Sequence, residues 1–242
     1  MIEIKDLSIN MNGETLISGL NARLNTGEFW AVLGKNGTGK TTLLHTMAGF
    51  LKYQYGSIQI NNNELKSLNV LVRAQNISFL PQIFEASLNC TVRQSIAYGR
   101  YPWYKSKFLQ EQETKAVNDA ITAMELNDIQ HKSIQQISGG ELRKVEIATI
   151  LAQDSEVMML DEPLNHLDLS FRFKLMKLLQ QLSKNKTVIV VTHDIQYVKE
   201  YCSHVIMLFE NKQSLIGKVD ELMTSDNLNK MLGLSLPERF IN

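Results

Sequence analysis

The 242-residue sequence has few cysteines and no excess of charge of either sign. Its two cysteines, Cys90 and Cys202, share no short metal-type spacing and form no disulfide framework, which suits a reducing cytosol. The 25 Lys and Arg residues balance the 25 Asp and Glu residues. Because this balance provides no global positive field, we expect no nucleic-acid partner.

Export and membrane-spanning segments are also missing from the sequence. The charged, alternating stretch of residues 1–6 predicts a β-strand and not a signal peptide. The longest apolar stretches, such as Val157 to Leu160, are far shorter than the roughly 20 residues that cross a bilayer. We therefore expect a cytoplasmic protein that reaches a membrane only through a partner. The histidines show no paired spacing, which argues against a structural metal site.

The apolar pattern predicts an α/β fold. Residues 1–28 alternate apolar and polar side chains around a turn at Asn12-Gly13, which indicates an antiparallel layer. Short uninterrupted apolar runs predict strands that are buried on both faces of a parallel sheet. These runs are Phe29–Leu33, Ile77–Leu80, Val157–Leu160, Val188–Thr192 and Val205–Phe209. Helical patterns lie between them at Thr41–Phe50, Phe171–Ser183 and Ile195–Tyr201, which favours parallel βα units.

Residues 84–152 show mainly helical patterns, clearest at Gln110–Met124 and Glu141–Ala152, and we interpret them as an inserted helical subdomain. An aromatic and basic cluster lies near its middle. Two interpretations stay open: internal packing beside a solvated basic loop, or a contact surface for another protein. The cluster comprises Tyr98, Arg100, Tyr101, Trp103, Tyr104, Lys105, Lys107 and Phe108.

A phosphate-binding loop follows the first buried strand. The residues Gly34-Lys35-Asn36-Gly37-Thr38-Gly39-Lys40-Thr41-Thr42 form a complete G-x-x-x-x-G-K-[ST] motif. Its glycines let successive backbone N–H groups point inward, where the helix beginning near Lys40 adds its positive dipole end. Lys40 is predicted to contact the β- and γ-phosphates, and the Thr41 hydroxyl is predicted to be a ligand for Mg²⁺.

Two acids end the apolar strand that begins at Val157. Asp161 and Glu162 stand where a Walker B element places its carboxylates. Asp161 is predicted to hold Mg²⁺ through its water shell, and Glu162 to orient and polarise the attacking water. Adjacent acids at a strand end are otherwise ordinary turn residues, but the phosphate loop favours the catalytic interpretation.

A second anion-binding helix start is predicted at Ser138-Gly139-Gly140-Glu141. Ser138 is a suitable N-cap, and the two glycines allow close backbone approach to a ligand. One nucleotide does not need two such sites in a single subunit. The arrangement makes sense if Ser138 and its neighbouring N–H groups close over the γ-phosphate held by another copy of the chain.

Residues Ile137 to Glu141 resemble the L-S-G-G-Q signature of ATP-binding cassette (ABC) proteins. Leu80-Pro81-Gln82 is similar to the Q-loop of that family, in which Gln82 would sense the γ-phosphate and Mg²⁺. Leu164-Asn165-His166-Leu167-Asp168 resembles the D-loop, which implies that Asp168 lies across a dimer interface. Thr192-His193-Asp194 is similar to the switch-histidine motif, which implies that His193 bonds the γ-phosphate and helps to place the water.

The resemblance covers essentially residues 1–232 and implies a P-loop NTPase core with a parallel sheet, an N-terminal antiparallel β subdomain and an inserted all-helical subdomain. Within one ABC ATPase domain of residues 1–242, we predict four parts. They are an antiparallel layer (1–28 and about 52–72), a nucleotide-binding core (29–51, 73–83 and 153–210), a helical subdomain (84–152) and a C-terminal segment (211–242).

One position departs from the family pattern. Family members usually carry an aromatic residue in the early hairpin to stack on adenine, and Met11 occupies the corresponding place. The methionine sulfur can still pack on a purine face, but ring-on-ring stacking is lost. Residues 1–28 contain no Phe, Tyr or Trp, so the sequence predicts phosphate binding more strongly than a preference for ATP over GTP.

The resemblance implies a homodimer that hydrolyses ATP with Mg²⁺ on the inner face of the cell membrane, bound to transmembrane permease subunits and indirectly served by a substrate-binding protein. The stretch Ser95 to Pro102 is similar to the G-R-x-P region of iron-chelate, haem and cobalamin importer ATPases, and Leu222 to Leu228 is similar to their tail. Residues 169–172 lack the His-Gln pair that family members often carry after the D-loop aspartate. The alternatives are another ABC transporter, of lipid, lipopolysaccharide or exporter type, and a non-transport ABC protein that acts on DNA or ribosomes.

Overall fold

The structure is a computed structural model that describes residues 1–11, 13–82, 89–104 and 110–233. The chain divides into two compact units. The first unit comprises residues 1–68 and 176–242, and the second unit comprises residues 69–175. Within the described residues, no helix is both long and apolar enough to cross a membrane.

The elements in chain order are β1 (Ile2–Met11), β2 (Glu14–Leu24), β3 (Phe29–Gly34), α1 (Lys40–Met47), β4 (Tyr55–Ile60), β5 (Asn63–Glu64), α2 (Val70–Asn76), β6 (Ile77–Leu80), α3 (Val92–Tyr98), α4 (Gln110–Ala123), α5 (Gly139–Gln153), β7 (Val157–Asp161), α6 (Leu169–Ser183), β8 (Thr187–Val191), α7 (Ile195–Tyr201), β9 (His204–Leu208), β10 (Ser214–Lys218), α8 (Val219–Leu222) and α9 (Ser225–Leu232).

An antiparallel sheet of the first unit has the strand order β2-β1-β4-β5. Strand β1 pairs with β2 from Ile2 opposite Leu24 to Met11 opposite Glu14. The apolar residues Ile2, Ile4 and Ile9 of β1 are buried, whereas intervening polar positions are more exposed. Between Ile4 and Leu7 the register with β2 shifts, and Asp6 there has a φ of 49°, so Leu7 and Ile9 are buried although the buried positions change from even to odd. The predicted antiparallel pairing is confirmed. Asn12, in the predicted turn, lies outside the described residues.

The first unit also contains β10, β9, β3 and β8, in that order, within a second sheet. Strand β3 runs parallel to both β8 and β9, and β10 is antiparallel to β9. Every residue of β3 and β8 is buried. Strands covered on both faces need apolar side chains at every position, which explains their uninterrupted apolar sequences and confirms that prediction.

The second unit contains the parallel pair β6 and β7, in which Leu80 lies opposite Leu160. Helices α3, α4 and α5 pack on one another in this unit. Among the described residues between 89 and 152, the β-structure is limited to one isolated bridge between Thr91 and Ser133. The predicted helices at Gln110–Met124 and Glu141–Ala152 are confirmed as α4 and α5, and α5 begins two residues earlier than predicted.

The C-terminal segment forms β10 followed by the short helices α8 and α9. Helix α9 is capped at its start by the Thr224 side chain, which accepts the Asn227 N–H. It ends at Gly233, whose φ of 63° lies in the left-handed region that favours glycine. Residues 234–242 lie outside the described residues.

Gly99 allows α3 and α5 to pack closely in the second unit. A Cβ atom at this position would overlap the backbone carbonyl oxygen of Thr149. Because backbone cannot rotate away as a flexible side chain can, Gly99→Ala should lower the free energy of unfolding by about 1–3 kcal/mol. Urea denaturation measures the change. Gly139→Ala is the matched control, because a Cβ there meets no atom within 4 Å; equal stability of the two variants would contradict the packing argument.

Candidate active site

The phosphate loop lies between β3, which ends at Gly34, and α1, which begins at Lys40. At Gly34, an added Cβ would lie only 2.8 Å from the backbone oxygen of Leu208, so a larger residue does not fit. Gly39 caps α1 with a φ of 96°, a conformation that glycine adopts without strain. These two glycines let the chain reverse sharply and bring the amino end of α1 to the carboxyl edge of the sheet.

Lys40 is buried, and its ammonium group is held by the loop itself. Its Nζ donates hydrogen bonds to the backbone oxygens of Gly34, at 2.9 Å, and Lys35, at 3.0 Å. The Lys35 oxygen also accepts the Thr38 hydroxyl at 2.9 Å. The Lys35 side chain instead forms an ion pair with Glu210. The loop is thus curled around Lys40, which places one positive charge within the predicted phosphate cradle.

Met11 lies beside the phosphate loop. Its sulfur accepts the Thr42 hydroxyl at 3.9 Å, and the residue is 45% exposed. Thr41, in the first turn of α1, is half-buried. Met11 and Thr42 are 31 positions apart in the sequence, and the structure brings them together within the first unit. A polarisable thioether is therefore available next to the loop to contact an apolar ring face.

His193 lies two residues beyond the end of β8 and is exposed. Strand β8 is in parallel register with β3, with Val191 opposite Val32. The adjacent Thr192 hydroxyl accepts the Asp194 N–H at 3.2 Å, which turns the chain sharply before α7. Parallel register means that both strands finish at one edge of the sheet, so His193 and the phosphate loop emerge from the same edge of the first unit.

The carboxyl ends of β6 and β7 bring three predicted site residues to one edge of the second unit. Gln82 follows β6 by two residues and is exposed. Asp161, the last residue of β7, is fully buried, and Glu162 follows it with 7% exposure. Glu162 has a φ of 48°. A non-glycine residue in the left-handed region carries strain and needs surrounding structure to hold it.

Ser138 caps α5 in a reciprocal arrangement. Its hydroxyl accepts the Glu141 N–H at 3.3 Å, while the Glu141 carboxylate accepts the Ser138 N–H and hydroxyl, each at 2.7 Å. This is a capping box, in which a Ser/Thr and a Glu/Gln three residues later satisfy each other's backbone donors. Hydrogen bonds from Ser138 lower the pKa of the Glu141 carboxyl. Glu141 therefore serves the helix cap, and its side chain is committed to that role in this structure.

The two signature glycines have different surroundings. A Cβ at Gly139 would meet no atom within 4 Å, so this exposed first turn of α5 offers open backbone to a ligand. A Cβ at Gly140 would lie 3.0 Å from the backbone oxygen of His166, so this glycine accommodates the segment before Asp168. Packing thus explains Gly140, whereas the surface at Gly139 is open to an anion.

Asp168 caps the start of α6. Its Oδ1 accepts the Phe171 N–H and the Ser170 hydroxyl, each at 2.9 Å. The hydrogen bond from the Phe171 backbone N–H and, second, that from the Ser170 hydroxyl lower the pKa of this exposed carboxyl. The D-loop aspartate accordingly stays ionised and is oriented by the helix that follows it.

Arg143 is a buried residue of the site that the sequence motifs do not reveal. Its Nη2 donates to the backbone oxygens of Asp161, at 3.0 Å, and Glu162, at 2.8 Å. Its Nη1 donates to the Pro81 oxygen at 3.1 Å and to Glu146 at 2.8 Å. The available sequence signal is the i, i+3 spacing of Arg143 and Glu146, which permits an ion pair on one helix face.

A cleft of about 340 Å³ opens on the second unit. Most of its lining is apolar or aromatic, and Glu146 is its acidic residue. Burial raises the pKa of the Glu146 carboxyl, against the opposing effect of Arg143. Residues that line the cleft include Phe79, Pro81, Tyr98, Tyr101, Leu142 and Val145.

The aromatic and basic cluster divides between packing and surface. Tyr98, Tyr101 and Tyr104 are exposed, whereas the Trp103 indole donates to the Gln153 oxygen at 2.7 Å. Arg100 belongs to the packed part of the cluster, because this residue is buried and its Nη1 donates to the Ala152 backbone oxygen at 2.8 Å. Lys105, Lys107 and Phe108 lie outside the described residues.

Comparison with known proteins agrees with a phosphate-loop ATPase. The family model described as ABC transporter matches residues 17–165. The chain is 30% identical over 244 residues to the petrobactin import ATP-binding protein YclP of Bacillus subtilis, which covers 100% of this chain and 96% of that protein. It is 29% identical to the hemin import ATP-binding protein HmuV of Pseudomonas aeruginosa, with 99% and 97% of the two chains covered.

Two solved structures resemble the fold. A chain of an ABC transporter assigned to the metal-chelate type, in an inward-facing conformation, superposes with a TM-score of 0.81 at 26% identity, covering 96% of this chain and 88% of the other. A dimeric ATP-binding cassette in a post-hydrolysis state with ADP and phosphate gives a TM-score of 0.79 at 26% identity, covering 89% and 98%. The fold and its loops define a P-loop ATP hydrolase. More particularly, the chain belongs to the ABC transporter family.

Proposed function

We propose that this chain is the ATP-hydrolysing subunit of a bacterial importer of iron chelates, haem or cobalamin, and that ATP-driven closure of a homodimer powers transport. The observation that carries the proposal is similarity along the entire chain to ATP-binding proteins named for petrobactin and hemin import. A match over 100% of the chain includes the regions outside the nucleotide motifs.

The phosphates of ATP bind the loop of residues 34–42, with Lys40 on the β- and γ-phosphates and Met11 beside the base. The support is the curled loop around the Lys40 ammonium and the Met11 sulfur 3.9 Å from Thr42. Glu162 polarises the attacking water, while Gln82 and His193 contact the γ-phosphate side. Catalysis then depends on positioning and charge stabilisation without a covalent intermediate.

Mg²⁺ accompanies the ATP phosphates, held by Thr41, Gln82 and Asp161. These residues offer a hydroxyl, an amide and a carboxylate oxygen, which are the hard donors that Mg²⁺ takes together with water and phosphate oxygens. Asp161 is fully buried at a strand end, so its side chain has a restricted orientation. The ion would neutralise charge on the phosphates, while Glu162 stays available to the water.

Two copies of the chain bind two ATP molecules between them. Each ATP contacts the phosphate loop of one copy and Ser138, Gly139 and Gly140 of the other, and Asp168 lies at the dimer interface. One support is the open helix start at Gly139, where an added Cβ would meet no atom of the described residues within 4 Å. The other is the dimeric state of a similar cassette. Because ATP bridges the copies, binding favours closure and hydrolysis permits opening.

Permease subunits hold the dimer on the inner face of the membrane, and a substrate-binding protein delivers the cargo to them. The cleft of the second unit, with exposed Tyr98 and Tyr101 at its wall, fits a partner helix that presents apolar side chains. Aromatic residues with exposed ring surface are typical of protein contacts.

Purification of the tagged chain from membranes, followed by reconstitution of the complex in proteoliposomes, tests this function. We expect a polytopic permease to co-purify. A binding protein loaded with a ferric siderophore, haem or cobalamin should raise ATPase activity at least about threefold over the same protein when empty. The import function would be contradicted if none of the three loaded binding proteins raised the ATPase activity. Co-purification of the chain with DNA or ribosomes would contradict it as well.

A further inference from the structure

Arg143 connects three parts of the second unit through one guanidinium group. The residue is 3% exposed, and it lies on α5, one turn after the signature glycines. Nη2 donates to the carbonyl oxygens of Asp161 and Glu162, and Nη1 donates to the carbonyl oxygen of Pro81. Its remaining contact is the Glu146 carboxylate at 2.8 Å. The planar fork of arginine can serve these four acceptors together, which a single ammonium group cannot.

The two Nη2 contacts bracket a strained residue. Glu162 has a φ of 48°, and a non-glycine residue keeps this strained conformation only where the surrounding structure holds it. The Asp161 carbonyl precedes the Glu162 nitrogen, and the Glu162 carbonyl follows its Cα. Holding both oxygens fixes the peptide planes on either side of Glu162, and so fixes the direction of its side chain. The Pro81 contact does the same for the backbone that leads to Gln82.

We propose that Arg143 is a positioning residue for hydrolysis, which aims the Glu162 carboxylate and orients the segment carrying Gln82, and that Glu146 holds Arg143 in this geometry. The inference rests on the role proposed for Glu162. A positioning residue of this kind acts on the chemical step more than on nucleotide binding, because the acceptors of its hydrogen bonds belong to Pro81, Glu146, Asp161 and Glu162 and not to the loop of residues 34–42.

Steady-state kinetics of Arg143→Lys and Glu146→Gln provide the first test. We expect kcat to fall about tenfold or more in Arg143→Lys, since one ammonium cannot hold both carbonyls, and several-fold in Glu146→Gln. KM for ATP and the affinity for a non-hydrolysed ATP analogue should change less than twofold. Asp119→Asn is the control, because it breaks the exposed Lys115 ion pair in the same unit. An unchanged kcat in Arg143→Lys would overturn the proposal.

A double variant separates positioning from stability. Arg143→Leu alone leaves the Glu146 charge buried without its partner, which destabilises the fold. The double change Arg143→Leu with Glu146→Leu removes both charges and should recover the melting temperature. We expect kcat to stay at least tenfold low in the recovered protein. Recovery of kcat together with stability would reduce Arg143 to a folding role. If the wild-type protein itself had no ATPase activity, that result would instead contradict the proposed function.

Discussion

Glu162→Gln should bind ATP normally and hydrolyse it at least about 100-fold more slowly, since a positioned general base contributes 10²–10⁴-fold to a rate. Glutamine has the same shape as glutamate but cannot take a proton from water. Glu162 is nearly buried at the end of β7, where the isosteric change preserves packing. Bound ATP would then remain intact, and closed dimers should accumulate. Phosphate release measures the rate, and size-exclusion chromatography with light scattering measures the dimer.

Glu156→Gln is the matched control for this variant. Glu156 is exposed and directly precedes β7. Its replacement by glutamine is therefore the same chemical change at the opposite end of the same strand. Its turnover and oligomeric state should match those of the wild type. Near-normal turnover in Glu162→Gln would contradict the assignment of the general base. Slow turnover without accumulation of dimers would agree with Glu162 as the general base, but it would contradict an ATP site shared between two copies.

The strands and the phosphate loop could be predicted because their causes are local. Buried parallel strands need an apolar residue at each position, and Phe29–Leu33 fulfils this requirement without reference to any distant residue. The glycines of the loop likewise report a backbone conformation that few other residues adopt. The capping box at Ser138 is equally local, because its partners are three positions apart.

The environment of Arg143 could not be predicted, because its cause is long-range. Arg143 and Lys144 are consecutive cations on α5, and no local rule says which one turns inward. The structure buries Arg143 against carbonyls 18, 19 and 62 positions away. Lys144 instead stays near the Phe171 ring. The burial of Arg100 has a long-range cause too, since its acceptor Ala152 lies 52 positions away.

The position of Met11 could be predicted from the sequence, but its contribution to binding the nucleotide base could not. The sequence places a thioether where related proteins carry an aromatic ring, and the structure places that thioether beside Thr42. The contact area of one flexible side chain is smaller than that of a ring, and its attraction to a purine is less directional. Most of the affinity for a nucleotide should therefore come from its phosphates.

Removal of the Lys40 ammonium should accordingly have the second large effect. A hydrogen bond to a charged group contributes about 1.5–3 kcal/mol. Because we propose that Lys40 contacts both the β- and γ-phosphates, Lys40→Ala should weaken ATP binding about 100-fold or more, which corresponds to about 2.7 kcal/mol. Isothermal titration with a non-hydrolysed analogue measures the affinity, and the melting temperature reports whether the carbonyls of Gly34 and Lys35 tolerate the loss of their donor.

Lys35→Met is the internal comparison, because it removes a second ammonium from the same loop. The Lys35 Nζ is bound by the exposed Glu210 carboxylate at 2.9 Å, and an added Cβ on Gly233 would lie only 2.6 Å from it. Its side chain is thus directed to the C-terminal segment, and only its backbone belongs to the cradle. We expect less than about a threefold loss of ATP affinity, because the Lys35 ammonium is directed toward Glu210 and Gly233. Equal losses in Lys35→Met and Lys40→Ala would mean that net loop charge binds the phosphates, whatever the position of the lysine.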